Sequence, residues 1–101
     1  MTTPIAVGRF GRPPEQARIA ADWRARGFSC QPFVDPPGRQ WNDFVHATNE
    51  LVTVLEGRLK LIVEGREAML EPGDEAFIAK GQRHSVHNAH AGVTRWMFGY
   101  D

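Results

Sequence analysis

Two imidazoles and a carboxylate are the residues of this chain whose types and spacing could do chemistry together: His46, Glu50 and His84. Two nitrogen ligands and one oxygen ligand can hold a divalent metal and leave open positions for water, substrate or dioxygen, as in facial-triad iron sites. The spacing supports convergence if these residues lie on strands, where side chains alternate between the two faces. His46 and Glu50 are four apart and would share a face with Thr48, Val52 and Val54. By the same parity His84, Val86 and Asn88 share a face, and His87 points the other way. The residues alone leave another reading open, in which His46 is a satisfied polar residue near a strand start and Glu50 a surface acid. A short chain with four histidines and twelve acidic residues offers such trios by chance.

Other reactive types carry less. Cys30 is the only cysteine, which excludes an internal disulfide or a thiolate cluster and reads as a small buried thiol. No Ser-His-Asp or Cys-His arrangement offers a rival nucleophile, so catalytic residues beyond a metal are unassigned. His87 and His90 read as solvated strand-end residues, with a place at the rim of a site as the alternative. Trp41, Trp96, Phe98 and Tyr100 could line a pocket, but alternating aromatics are also what a small β core needs, and the core reading is the stronger. Met69 and Met97 read as packing residues.

The elements that must position these groups are short strands. Gly57, Gly65, Gly73 and Gly81 recur every eight residues, each in a turn-like context. Between and around them lie strand candidates at 51–55, 59–63, 67–70 and 75–79, preceded by 28–34 and closed by the aromatic run 93–100. Strands at this spacing suit a sandwich or a closed barrel, in which closure hides the edges. The only helix signal lies at 13–26, where two prolines open the segment and Gly27 ends it. Its arginines are interrupted by acids and apolar residues and read as a solvated helix face. The expected fold is therefore all-β with a short N-terminal helix: one domain over 1–101, with an arm and helix over about 1–27 and a barrel over about 28–101.

Composition sets the outer limits. A chain of 101 residues has room for one core. At 42% hydrophobic and 24% charged, it can bury that core and remain soluble. Twelve basic residues balance twelve acidic ones, so no cationic field invites nucleic acid or an anionic membrane, and a small molecule is the expected partner. No apolar run approaches the roughly 20 residues of a membrane helix, and Met1 to Gly11 has no secretory apolar core, so a cytoplasmic protein is expected.

Two segments resemble the motifs of the cupin superfamily. The first runs from Gly38 through Phe44, His46 and Glu50 to Gly57 with every spacing of the family's first motif, Phe44 standing where its first histidine would be. The second runs from Gly73 through Ala79, Gly81 and His84 to Asn88, with Ala79 in the place of a proline. The resemblance implies a cupin-like double-stranded β-helix, or jelly-roll barrel. It implies a metal site carried over to His46, Glu50 and His84 only, since the Phe44 ring has no lone pair to donate. A divalent transition metal, Fe, Mn, Ni or Zn, would be the cofactor, and oxygenase, isomerase or lyase chemistry the repertoire. A metal-free module that binds or senses a small ligand is the alternative. A homodimer is expected to cover the outer positions Leu51, Thr53 and Leu55, with Thr3 to Phe10 crossing to the partner.

Overall fold

A computed structural model describes residues 4–101 of the chain. The elements in order are β1 (Ile5–Ala6), α1 (Gln16–Ala25), β2 (Gln31–Asp35), β3 (Gln40–Phe44), β4 (Glu50–Glu56), β5 (Leu59–Val63), β6 (Arg66–Leu70), β7 (Glu75–Ile78), β8 (His84–Asn88) and β9 (Thr94–Tyr100). The strands form two antiparallel sheets, one ordered β1-β7-β4-β9-β2 and the other β3-β8-β5-β6. This is the jelly-roll arrangement the glycine period and the motifs anticipate, with its one short helix before Gly27. The β5–β6 hairpin shows how the period works: Val63 pairs with Arg66, so the loop is only Glu64-Gly65. Both loop residues have positive φ, 50° and 79°, the mirror-image turn that matches strand twist and favours glycine.

Alternation on β4 divides the molecule into an inside and an outside. Val52 and Val54 point between the sheets and join Leu59, Leu61, Val63, Leu70, Ala76, Ile78, Val86 and Trp96 in the main core. Leu51 points the other way and packs with Phe10, Ile19, Trp23 and Met97. Ile19 and Trp23 are four apart, one turn of α1, and both are fully buried. Each such side chain contributes about 1.5–3 kcal/mol by leaving water, which is what holds a ten-residue helix against the sheet. Polar bonds fix its place. Glu75 accepts from Trp23 Nε1 at 2.7 Å and from the Arg26 guanidinium at 2.8 and 3.0 Å.

That helix corrects the expectation about the outer face. Leu51 and Thr53 are fully buried within the chain itself, Thr53 donating to the Asp74 carbonyl at 2.6 Å, and Leu55 packs against the α1 cluster. No second copy is needed to cover them. The arm expected to cross also stays at home, since Ile5 and Ala6 pair with Ala76 and Glu75 of β7 and Phe10 is buried under α1. Thr3 lies outside the described residues. Other differences are of extent: β2 begins at Gln31 rather than Phe28, and β1 and β3 are strands that no run in the sequence announces. Among the described residues no helix is long and apolar enough to cross a membrane.

Candidate metal centre and aromatic pocket

Each of the three candidate ligands is placed by a different part of the chain. Glu50 opens β4, where it lies between Ile78 of β7 and Tyr100 of β9, and is 4% exposed. His84 opens β8 between Phe44 of β3 and Val63 of β5, and is 3% exposed. His46 lies in the connection between β3 and β4, where its carbonyl accepts from the Gly81 amide at 2.9 Å. The parity argument from His46 to Glu50 therefore fails in its mechanism, because only Glu50 is on a strand. The convergence it anticipated is nonetheless present. One ligand atom from each of the three lies within 4.8 Å of the others.

Glu50 Oε1 is the centre of this group. It lies 3.1 Å from His84 Nε2 and 3.8 Å from His46 Nε2, yet it is buried and no well-directed hydrogen bond reaches it. His84 Nδ1 stands 3.2 Å from the Gln82 carbonyl, which can only accept, so the ring proton belongs on Nδ1. Nε2 of the neutral ring then carries a bare lone pair beside Oε1. Two lone-pair atoms at that separation call for something positive between them, either a proton or a metal ion. A proton is one answer: burial by itself would hold His84 below the ordinary 6.5, but the nearby Glu50 carboxylate, to which a protonated ring could donate, and the Gln82 carbonyl outweigh it and the net shift is upward. A metal is the other. The hydrogen bond from Nδ1 to a carbonyl is the outer support that metal-binding histidines use to fix ring and tautomer. Ligand atoms about 2.1 Å from one ion stand roughly 3–4 Å apart, and His46, partly exposed on its loop, is the residue best able to close the remainder. The donor set fits a divalent ion.

Phe44 occupies the fourth corner. Its ring lies 6.0 Å from that of His46, nearly parallel at 17°, and 6.4 Å from that of His84. A bulge between Trp41 and Phe44, with Asp43 at φ 61° and its amide bonded to Ser85 Oγ at 3.0 Å, aims it there. Above the polar group opens a pocket of about 210 Å³ whose walls are Phe33, Trp41, Phe44, Trp96, Phe98 and Tyr100, with Val86 among them. Trp41, Trp96, Phe98 and Tyr100 thus line a cavity rather than only fill a core, against the stronger of the two sequence readings. Tyr100 lies 5.0 Å from the His46 ring, and its hydroxyl is pushed above the ordinary 10 by burial and by the negative charge of Glu50.

Phe33 and Asp35 escaped the sequence reading. Asp35 is 1% exposed and accepts from Trp96 Nε1 at 3.0 Å and from Trp41 Nε1 at 3.1 and 3.2 Å. The signal was the equal parity of Phe33 and Asp35 on β2, which puts both on the inner face. His84, Val86 and Asn88 do share the buried face of β8, as parity required, while His87 turns outward and its Nε2 lies 2.7 Å from Asn42 Oδ1. His90 sits in the loop after β8, its amide bonded to Asn88 Oδ1, and takes no part in the site. Met97 is buried in the α1 cluster and Met69 is exposed, neither near the ligands. Burial raises the Cys30 thiol above its ordinary value, as expected of a structural cysteine.

Comparison with solved structures places the fold. TT1209 from Thermus thermophilus superposes with a TM-score of 0.66 at 27% identity, over 72% of this chain and 71% of that one. The cupin domain of an XRE family transcriptional regulator from Enterobacter cloacae gives 0.67 at 20% identity, over 77% and 85%. The polyketide cyclase RemF from Streptomyces resistomycificus gives 0.64 at 24% identity, over 72% of this chain but only 53% of the cyclase. No curated protein matches the sequence. The cupin domain model matches residues 33–100. That span takes in both motifs and every strand from Phe33 of β2 to Tyr100 of β9, and on that ground the chain belongs to the cupin family.

Proposed function

We propose that this cupin binds a divalent transition metal through His46, Glu50 and His84 and acts on a small organic molecule held in the pocket above it. The observation that carries the reading is Glu50 Oε1, buried without a hydrogen bond and facing two imidazole nitrogens at 3.1 and 3.8 Å. A metal bound there would supply Lewis-acid polarisation or a site for dioxygen. The protein's own part is to hold the imidazole of His84 by its Gln82 bond, to keep the carboxylate out of water and to exclude solvent with the aromatic walls. Fe, Mn, Ni and Zn all suit two nitrogens and one oxygen, and the reaction falls in the oxygenase, isomerase or lyase repertoire.

A second reading, a metal-free small-ligand module, is favoured by Phe44 in the fourth ligand position and by walls that are almost wholly apolar. The two part on elemental analysis of protein purified without a histidine tag. The metal reading expects close to one ion per chain, lost in His84→Ala and Glu50→Gln and kept in His87→Ala, each variant first shown to be folded. Equal loss in His84→Ala and His87→Ala, or no uptake by the parent from added Mn, Fe, Ni or Zn, refutes it. A cytoplasmic location and pairing of two copies belong to the same reading. A monomer mass in light scattering at micromolar concentration removes the pair.

A further inference from the structure

The pocket walls carry information that the ligand trio does not. Six of the ten residues around it are Phe, Trp or Tyr, and the two with indole N–H groups spend them on Asp35 at 3.0–3.2 Å, behind the wall. Trp41 and Trp96 are thereby fixed in rotation and offer ring carbon rather than a donor to anything inside. Four of the ring pairs are steeply inclined, while Trp41 meets Phe44 at 46° and Trp96 meets Phe98 at 44°. Phe33 stands edge-on to Trp41, Trp96 and Phe98 at 70°, 73° and 68°, with centroids 5.6–6.2 Å apart, and Phe98 meets Tyr100 at 62°. Such a wall alternates negative ring faces with positive ring edges, the pattern that receives another aromatic ring.

From this we infer that the pocket takes a planar aromatic molecule, one substituted ring or two fused rings, with a polar substituent directed at His46 and His84. The inference deepens the function proposed above, since it names the substrate class of the same pocket, but it rests on the walls and not on the ligands. The size follows from the volume: an apolar cavity of about 150 Å³ already accepts benzene, and this one is about 210 Å³ and open at its mouth. The charge follows from Glu50. An aromatic cage can also hold a quaternary ammonium group. Here the one carboxylate faces the imidazoles at 3.1 and 3.8 Å and is spent on whatever positive charge lies between them, so nothing anionic is left for a cationic guest.

The test uses 2-naphthol, its saturated counterpart trans-2-decalol, and choline, each titrated calorimetrically into the full chain with EDTA present and again after loading with Mn. Each ring contact is worth roughly twofold to tenfold in affinity beyond the area it buries. 2-Naphthol should therefore bind at least about tenfold more tightly than trans-2-decalol, and choline more weakly than both. Phe33→Ala is the informative variant, because this residue is 37% exposed on an edge strand and its loss spares the core. It should weaken 2-naphthol roughly twofold to tenfold. Val34→Ala, on the other face of the same strand, should leave binding unchanged. Equal affinities for 2-naphthol and trans-2-decalol, tighter binding of choline, no heat from 2-naphthol up to its solubility limit, or an unchanged Phe33→Ala each overturn the inference. Binding of 2-naphthol in EDTA by a protein that takes up no metal upholds it while ending the metal proposal. Metal uptake without 2-naphthol binding does the reverse.

Discussion

Replacing Phe44 by histidine should convert a three-ligand group into a four-ligand one, and the structure sets the size of the effect. The Phe44 ring already stands 6.0 Å from His46 and 6.4 Å from His84, aimed by a bulge whose Asp43 amide is tied to Ser85. An imidazole on the same Cβ puts a nitrogen near the edge of that ring, on the side the other two imidazoles share. The cost is small, because Phe44 is 38% exposed: about three-fifths of the roughly 1.5–3 kcal/mol for complete burial is at stake, and an imidazole recovers part of it. About 1 kcal/mol of stability should be lost without metal. With metal the sign reverses. Removing a mere outer support of a metal ligand costs tenfold to a hundredfold, so adding a ligand should gain at least about tenfold, or about 1.4 kcal/mol. That gain enters stability through binding to the folded state alone, and for a chain of this size about 1 kcal/mol moves Tm by roughly 4–8 °C. F44H should thus melt a few degrees below the parent in EDTA. Its further rise with excess Mn or Zn should exceed the parent's by roughly 5–10 °C. Competition against a coloured chelator measures the affinity directly. An F44H protein that is folded but binds metal no better than the parent would refute the geometry argued for the fourth corner.

Three further outcomes follow from the supports of the site. Asp35→Ala strands two indole N–H groups with little access to water and should cost about 2–4 kcal/mol in urea titration; a loss below about 1 kcal/mol would mean the indoles find other partners. Glu75→Ala takes from Trp23 and Arg26 the acceptor they share; the fully buried indole N–H is left unpaired, while the Arg26 side chain is 35% exposed and keeps Asp22, so the cost should be about 1–3 kcal/mol. Amide exchange should quicken in α1 before it does in β4, and uniform quickening would contradict a separate docking of the helix. Asp22 is pushed up by burial but pulled further down by its bonds to Arg26 and Arg9, so its folded value lies below the ordinary 3.8. Its contribution is present above pH 3.8 and lost as pH falls through the folded value; Asp22→Asn should remove that part of acid unfolding and leave the rest.

How far the sequence could be read depended on the range of the interaction. Alternation on β4 and β8 is local, so the inward set Glu50, Val52 and Val54 and the inward set His84, Val86 and Asn88 were legible from spacing alone. His46 reached the right place for a different reason, because a loop anchored by the Gly81 amide delivers it and no period describes a loop. The helix as a cover for Leu51 was not legible, since only Ile19 and Trp23 of its ten residues are buried and its polar fastening, Glu75, lies 52 positions from Trp23. The aromatics posed the hardest case, because a packed core and a pocket wall use the same residue types. What separates them is the shape of the barrel. Val54, Leu59, Leu61, Leu70 and Ala76 close one part of the interior completely. Toward the ligands, β2 and β3 are both outermost strands of their sheets, and nothing pairs with their free edges among the described residues. Phe33 and Phe44 on those edges remain 37% and 38% exposed, so the interior opens between them. The buried acid Asp35 is tolerable there only because it is bonded to both indoles, and that arrangement serves a wall that must hold its shape with no side chain filling the space in front of it.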